Sequence, residues 1–221
     1  MQQTKSHSIY IVLSRTQTGV ARVLRTFGGL EYNHVAISLD RDFTELYSFA
    51  RSEQYGFLTG RLVHETTDRY LVNGENGVPI LVYRLPVTEE ELNWIRATIR
   101  EIMADPQFVY NFFSVVTYPI LGGFSTYKAF SCIEFVAYVL RELGYGIERP
   151  LFAYRPDDLR PLLEEYLCYD GSMQDYHPEY TVSTDYFRPL TMTLVVSSVM
   201  TIWMLLSRAV PWGQHGQAEI H

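Results

Sequence analysis

Residues 129–146 read AFSCIEFVAYVLRELGYG, and they hold Cys132, one of only two cysteines in a chain of 221 residues. Ser131 followed three positions later by Glu134 has the spacing of a capping box. That makes Ser131 the N-cap and Cys132 the first helical residue. Ile133, Val136, Val139, Leu140 and Leu143 recur at helical spacing as a buried stripe, and Gly144 or Gly146 supplies the stop. The spacing predicts a helix anchored in the core with a cysteine at its positive end.

That seat has a chemical consequence. Unpaired N–H groups and the helix dipole favour an anion, so they favour thiolate over thiol. A cysteine at a helix N-terminus can have its pKa lowered from about 8.5 to roughly 3.5–7.5 when a cation or imidazolium adds to the effect. The same N–H groups can receive the oxyanion of a tetrahedral intermediate. The competing reading is a small buried hydrophobe, the usual state of a free cysteine.

Composition limits what such a residue can serve. Hydrophobic residues make up 47% of the chain, and 17 tyrosines and 12 phenylalanines suit a packed fold. The formal net charge of -7 excludes a nucleic-acid partner, which needs a basic footprint. Two cysteines are too few for a disulfide framework, and a Cys132–Cys168 bridge lacks any CxxC spacing. Cys168, in YLCYDG, reads as a strand residue packed in the core. The apolar run Ile9 to Leu13 is too short for the h-region of a secretory signal and reads as a strand. No metal-ligand spacing is visible, so neither a metal nor an organic cofactor is expected.

The C-terminal region reads differently. PLTMTLVVSSVMTIWMLLS, residues 189–207, carries no charge. As a helix it would span about 28 Å, close to the ~30 Å hydrocarbon core of a bilayer. The expected organisation is a domain over residues 1–176, a polar linker over 177–188, a transmembrane tail helix over 189–210 and a polar end over 211–221. The protein is then membrane-anchored with its domain in the cytoplasm; a soluble cytoplasmic protein with a buried core helix is the alternative.

Within the domain, SIYIVLS (8–14) reads as a strand, followed by a helix in QTGVARVLRTFGG. HVAISLD and ELYSFAR form an antiparallel hairpin about Asp40-Arg41-Asp42, and PILVYRLPV (79–87) is a further strand. TEEELNWIRATIREIMADP is a helix with a Thr88–Glu91 capping box and Leu92, Ile95, Ile99 and Ile102 on one face. A Tyr- and Phe-rich connection leads to Cys132; a shorter helix starts near Pro156, and LCYDG (167–171) is a last strand. Strands and helices mix without βαβ alternation, which favours an α+β fold with an antiparallel sheet packed against the cysteine helix.

A thiolate needs a base. His7, His215 and His221 lie near the ends, His177 lies in the linker, and His64 sits at a loop or strand end. His34 opens the strand HVAISLD. By alternation it shares a face with Ala36 and Ser38, small residues that leave room for a helix end or a substrate. A hydrogen-bonded structural histidine is the competing reading.

NHVAISLD…ELYSFAR, followed about a hundred residues later by FSCIEFVAYVLRELGY, resembles the circularly permuted papain-like cysteine hydrolases. This is a branch of the NlpC superfamily related to the lecithin–retinol acyltransferases. In that branch the histidine strand precedes the cysteine helix, as here. The resemblance covers roughly residues 8–172. It implies a permuted papain-like fold, with Cys132 as nucleophile and His34 as general base.

The family often places a third polar residue after the histidine to fix the imidazole. With a three-residue hairpin loop Ser48 shares the face of His34; another register substitutes Tyr47, and Glu45 lies nearby as a stronger acceptor. None is the clear acid, asparagine or histidine of the family pattern. Tyr110 and Tyr118 could reach the pocket, with core aromatics the favoured reading. The expected activity is a cysteine-dependent hydrolase or acyltransferase acting on an amide, ester or thioester of a peptide, lipid or other acylated molecule. The alternative is a catalytically weak, membrane-tethered binding or scaffold module with the same pocket.

Overall fold

A computed structural model describes residues 4–16, 29–51, 60–66, 70, 77–176, 201–205 and 207–208. Eight strands are present among them: β1 (His7–Ser14), β2 (His34–Ser38), β3 (Leu46–Arg51), β4 (Gly60–His64), β5 (Pro79–Val87), β6 (Val109–Tyr110), β7 (Ala129–Phe130) and β8 (Leu167–Ser172). Six of them form one antiparallel sheet in the order β4-β3-β2-β1-β5-β8, and β6 and β7 make a small parallel ribbon. The helices are α1 (Glu89–Ala104), α2 (Phe112–Leu121), α3 (Cys132–Glu142), α4 (Leu159–Leu163) and α5 (Met173–Tyr176). The architecture is α+β, with an antiparallel sheet and a few helices.

Alternation along the strands gives the sheet two buried faces. Ile9, Ile11, Leu13, Val35, Ile37, Phe49, Leu81 and Leu85 meet Leu92, Ile95, Ile99 and Ile102 of α1 and Ile133, Phe135, Val136, Val139 and Leu140 of α3. Phe135, Val136, Val139 and Leu140 are fully buried; each contributes roughly 1.5–3 kcal/mol of transfer free energy. Tyr10, Val12, Ala36, Leu46, Ile80 and Val82 form a second cluster with Phe43, Tyr70 and Met173.

This arrangement corrects one expectation. Helix α3 does not approach over Ala36 and Ser38 but covers the opposite face, where Phe135 packs 5.6 Å from Phe49 between ring centroids. The small residues are filled from the other side: Ala36 belongs to the Phe43–Tyr70 cluster, and Ser38 donates its hydroxyl to the carbonyl of Asp40 at 2.8 Å.

Both capping boxes are formed, Thr88 with Glu91 on α1 and Ser131 with Glu134 on α3. The helix expected within QTGVARVLRTFGG falls on residues 17–28, outside the described residues. Strand β4, helix α2 and the β6–β7 ribbon are additions to the sequence reading. Cys168 does lie on a strand, but β8 is an edge of the sheet, and the cysteine is exposed rather than packed in the core. Cys132 and Cys168 are both free thiols.

Of the apolar tail, residues 201–205 and 207–208 are helical, while 177–200 and 209–221 lie outside the described residues. The linker expected at 177–188 is therefore outside them. Leu205 is buried against Val109 and Ala129, with Met204 beside it. Arg208 donates to the carbonyls of Gln107 and Tyr127, each at 3.0 Å. Among the described residues no helix is long and apolar enough to cross a membrane.

Candidate active site

Capping fixes the position of Cys132. Ser131 Oγ accepts from the Glu134 N–H at 3.3 Å, and Glu134 Oε2 accepts from the Ser131 N–H at 2.7 Å. The first N–H groups of a helix have no partner within it, so with those of Ser131 and Glu134 engaged by the box, the N–H groups of Cys132 and Ile133 are the ones placed to receive an oxyanion. Cys132 itself is only 6% exposed.

His34 enters from the first position of β2, at the end of the strand, where its ring reaches past the sheet to the start of α3. Its Nε2 hydrogen-bonds with Glu65 Oε1 at 2.9 Å, and the Cys132 side chain is near enough to act on the ring's protonation. Burial works against a charged ring here. The negative charge of Glu65 and the hydrogen bonds with Cys132 and Glu65 outweigh it, and the His34 pKa is pushed from 6.5 up to about 9.

Glu65, just beyond β4, is the residue that sequence reasoning missed. Its side chain is fully buried. Ser48 donates to Oε1 at 2.5 Å and Tyr70 donates to Oε2 at 2.8 Å. Pairing of Ile37 with Tyr47 and of Ser38 with Leu46 puts His34 and Ser48 on the same side of the hairpin. Ser48 thus acts on the carboxylate, and Tyr47 is not its substitute: that ring packs edge-on to His64 at 5.2 Å. Glu45 pairs with Arg96 at 2.9 Å, and the carboxylate against His34 is Glu65 instead. His64 binds the Thr44 carbonyl at 2.6 Å, and His7 opens β1. His177, His215 and His221 lie outside the described residues.

A cavity of about 280 Å³ opens on Cys132. Leu30, Val115, Ile133 and Phe152 give it apolar walls, and Tyr110, Tyr118 and Tyr154 add phenol rings. Tyr110 and Tyr118 thus line the site rather than serving only as core aromatics. Tyr118 donates to the Ala153 carbonyl at 3.3 Å, which directs its ring along the wall. Tyr110 stands against Gly60: a Cβ built there would come within 2.4 Å of Tyr110 Cβ, so only glycine permits this approach.

Behind the cysteine lies a second buried carboxyl. Asn111 Nδ2 donates to Glu134 Oε1 at 3.3 Å and to the Phe124 carbonyl at 3.0 Å, tying the start of α3 to the start of α2. Burial pushes the Glu134 carboxyl up to about 7, against the hydrogen bonds from Ser131 and Asn111. Among the described residues no group of three or more His, Cys, Asp or Glu side chains is arranged to hold a metal ion.

No protein-family model matches the chain, and neither a curated protein nor a solved structure matches it.

Proposed function

We propose that the protein is a cysteine-dependent hydrolase or acyltransferase with the permuted papain-like arrangement, using Cys132, His34 and Glu65. The observation that carries this reading is one imidazole held 2.9 Å from a buried carboxylate, with the Cys132 thiol near enough to shift its protonation. Those are the roles of nucleophile, base and orienting group that define a catalytic triad whatever the fold or chain order.

In this reading His34 takes the Cys132 proton as the sulfur attacks the carbonyl carbon of an amide, ester or thioester. The C–S bond forms while the carbonyl π electrons move to oxygen, which is held by N–H groups at the start of α3. Collapse breaks the bond to the leaving group, which takes the proton from the imidazolium and departs as an amine, alcohol or thiol. Water, or an acceptor amine or alcohol, then gives its proton to His34 and attacks the thioester, releasing the product and restoring the thiol. Glu65 holds the ring in place and balances its charge throughout.

Site-resolved alkylation by iodoacetamide tests this, with the exposed Cys168 as internal standard. Cys132 is expected to react faster than Cys168 at neutral pH, and acyl probes are expected to label the wild type but not Cys132→Ala. Alkylation of Cys132 no faster than that of Cys168, with acyl labelling unchanged by the substitution, refutes the proposal. It would favour a non-catalytic binding module, a reading to which the 6% exposure of Cys132 lends support.

A further inference from the structure

Among the described residues that line the cavity, Arg155 is the only one whose side chain carries a permanent charge. Its backbone N–H donates to Asp158 Oδ2 at 2.9 Å, which fixes the main chain at the rim. Its guanidinium, 41% exposed, lies 3.5 Å from Asp158 Oδ1. That distance is at the outer limit of a hydrogen bond, so the planar fork is not consumed by this contact.

Asp158 also serves a second cation. Arg149 Nη2 lies 3.2 Å from Asp158 Oδ2 and its guanidinium stacks over the Tyr154 ring at 4.2 Å. One carboxylate therefore answers two guanidinium groups. The neighbouring Asp157 is turned to other work, accepting the backbone N–H groups of Glu31 and Tyr32 at 2.7 and 3.0 Å. Glu31 is in turn paired with Arg160. Carboxylates and guanidinium groups balance in number around the rim, but the Arg155 fork, half-exposed and 3.5 Å from its partner, keeps donors to spare beside a cavity whose other described lining residues carry no permanent charge.

We propose that Arg155 is a specificity-determining residue that selects acyl donors bearing an anionic group, a carboxylate or phosphate, outward of a compact apolar portion seated among Phe152, Val115 and the tyrosines. The inference rests on the thiol reading above and adds the substrate class. A guanidinium suits this role because its fork matches the paired oxygens of carboxylate and phosphate. The cavity, at about 280 Å³, lies just below the usual range of about 300–1,000 Å³ for ligand sites, which fits one side chain or short acyl group.

The test compares two reagents of nearly equal size and opposite demand, iodoacetate and iodoacetamide. In each, the Cys132 thiolate attacks the methylene carbon, the C–S bond forms and iodide leaves. Rates are read at Cys132 and at Cys168 by peptide mass spectrometry in wild type, Arg155→Gln and Arg155→Lys. His34 is common to all three, so the change in the iodoacetate-to-iodoacetamide ratio isolates Arg155.

The Cys132 ratio is expected to fall roughly three- to tenfold in Arg155→Gln, the size of one charge acting across a wet cavity, and to be largely kept in Arg155→Lys. The Cys168 ratio, read on the β8 edge, is expected to stay constant. Equal Cys132 ratios in all three proteins overturn the role of Arg155 while leaving the nucleophile standing. An equal shift at Cys168 overturns it as well, since the effect is then global. A Cys132 that neither reagent alkylates faster than Cys168 overturns both proposals together.

Discussion

Replacing Glu65 by Gln removes one charge from a fully buried site and changes little else in shape. In the native site burial alone would drive His34 to stay neutral; the Glu65 charge and the hydrogen bonds of Cys132 and Glu65 reverse that and push the pKa up to about 9. The gap from the ordinary value of 6.5 corresponds to about 3 kcal/mol at 1.36 kcal/mol per tenfold change. Because the folded value lies above the unfolded one, this stabilisation is fully present below pH 6.5 and is lost as pH rises through about 9. Glu65→Gln is expected to bring His34 down toward or below its ordinary value and to flatten unfolding free energy across that window. The assays are an NMR titration of the His34 Cε1–H and denaturant unfolding at a series of pH values. A wild-type His34 that titrates at its ordinary value, or a Glu65→Gln protein with the same titration and the same slope, refutes the reasoning.

Three further outcomes follow from neighbouring contacts. Glu134 has its carboxyl raised from 4.5 to about 7, so native stability should decline as pH rises through that interval; Glu134→Gln is expected to abolish the slope, measured by urea unfolding. Gly60→Ala drives a methyl group into Tyr110 and should cost about 1–3 kcal/mol, read as a lowered Tm. Ser48→Ala removes a donor from buried Glu65 and should destabilise by about 1–3 kcal/mol, whereas Glu45→Ala breaks only a half-exposed pair with Arg96 and should cost less than about 1 kcal/mol; parallel denaturant curves compare them.

Much of the scaffold was legible because it obeys local rules. Thr88–Glu91 and Ser131–Glu134 announce their helices within four residues, and β1, β2, β3 and β5 alternate or run apolar as strands must. Helix α2 escaped because FFSVVTYPIL is rich in β-branched and aromatic residues and contains Pro119, all weak helix signals. Strand β4 escaped because Arg61 and His64 interrupt its pattern. Glu65 was hidden with it: 31 residues from His34 in sequence, it comes near only because β3 and β4 lie side by side next to β2. A glutamate within the polar run HETT (64–67) resembles any solvated loop acid, and nothing local marks it as buried. The face of approach was misread for a similar reason. Small residues next to His34 mean space, but strand alternation cannot say which layer fills it.

The docked C-terminal turn sets a condition on the far end of the chain. Leu205 roofs the Val109–Ala129 ribbon, and that ribbon leads directly into the residues that begin α2 and α3. A leucine can be shielded by protein or by lipid, never by both at the same moment. Wherever that last turn travels, the ribbon is bared to water behind it.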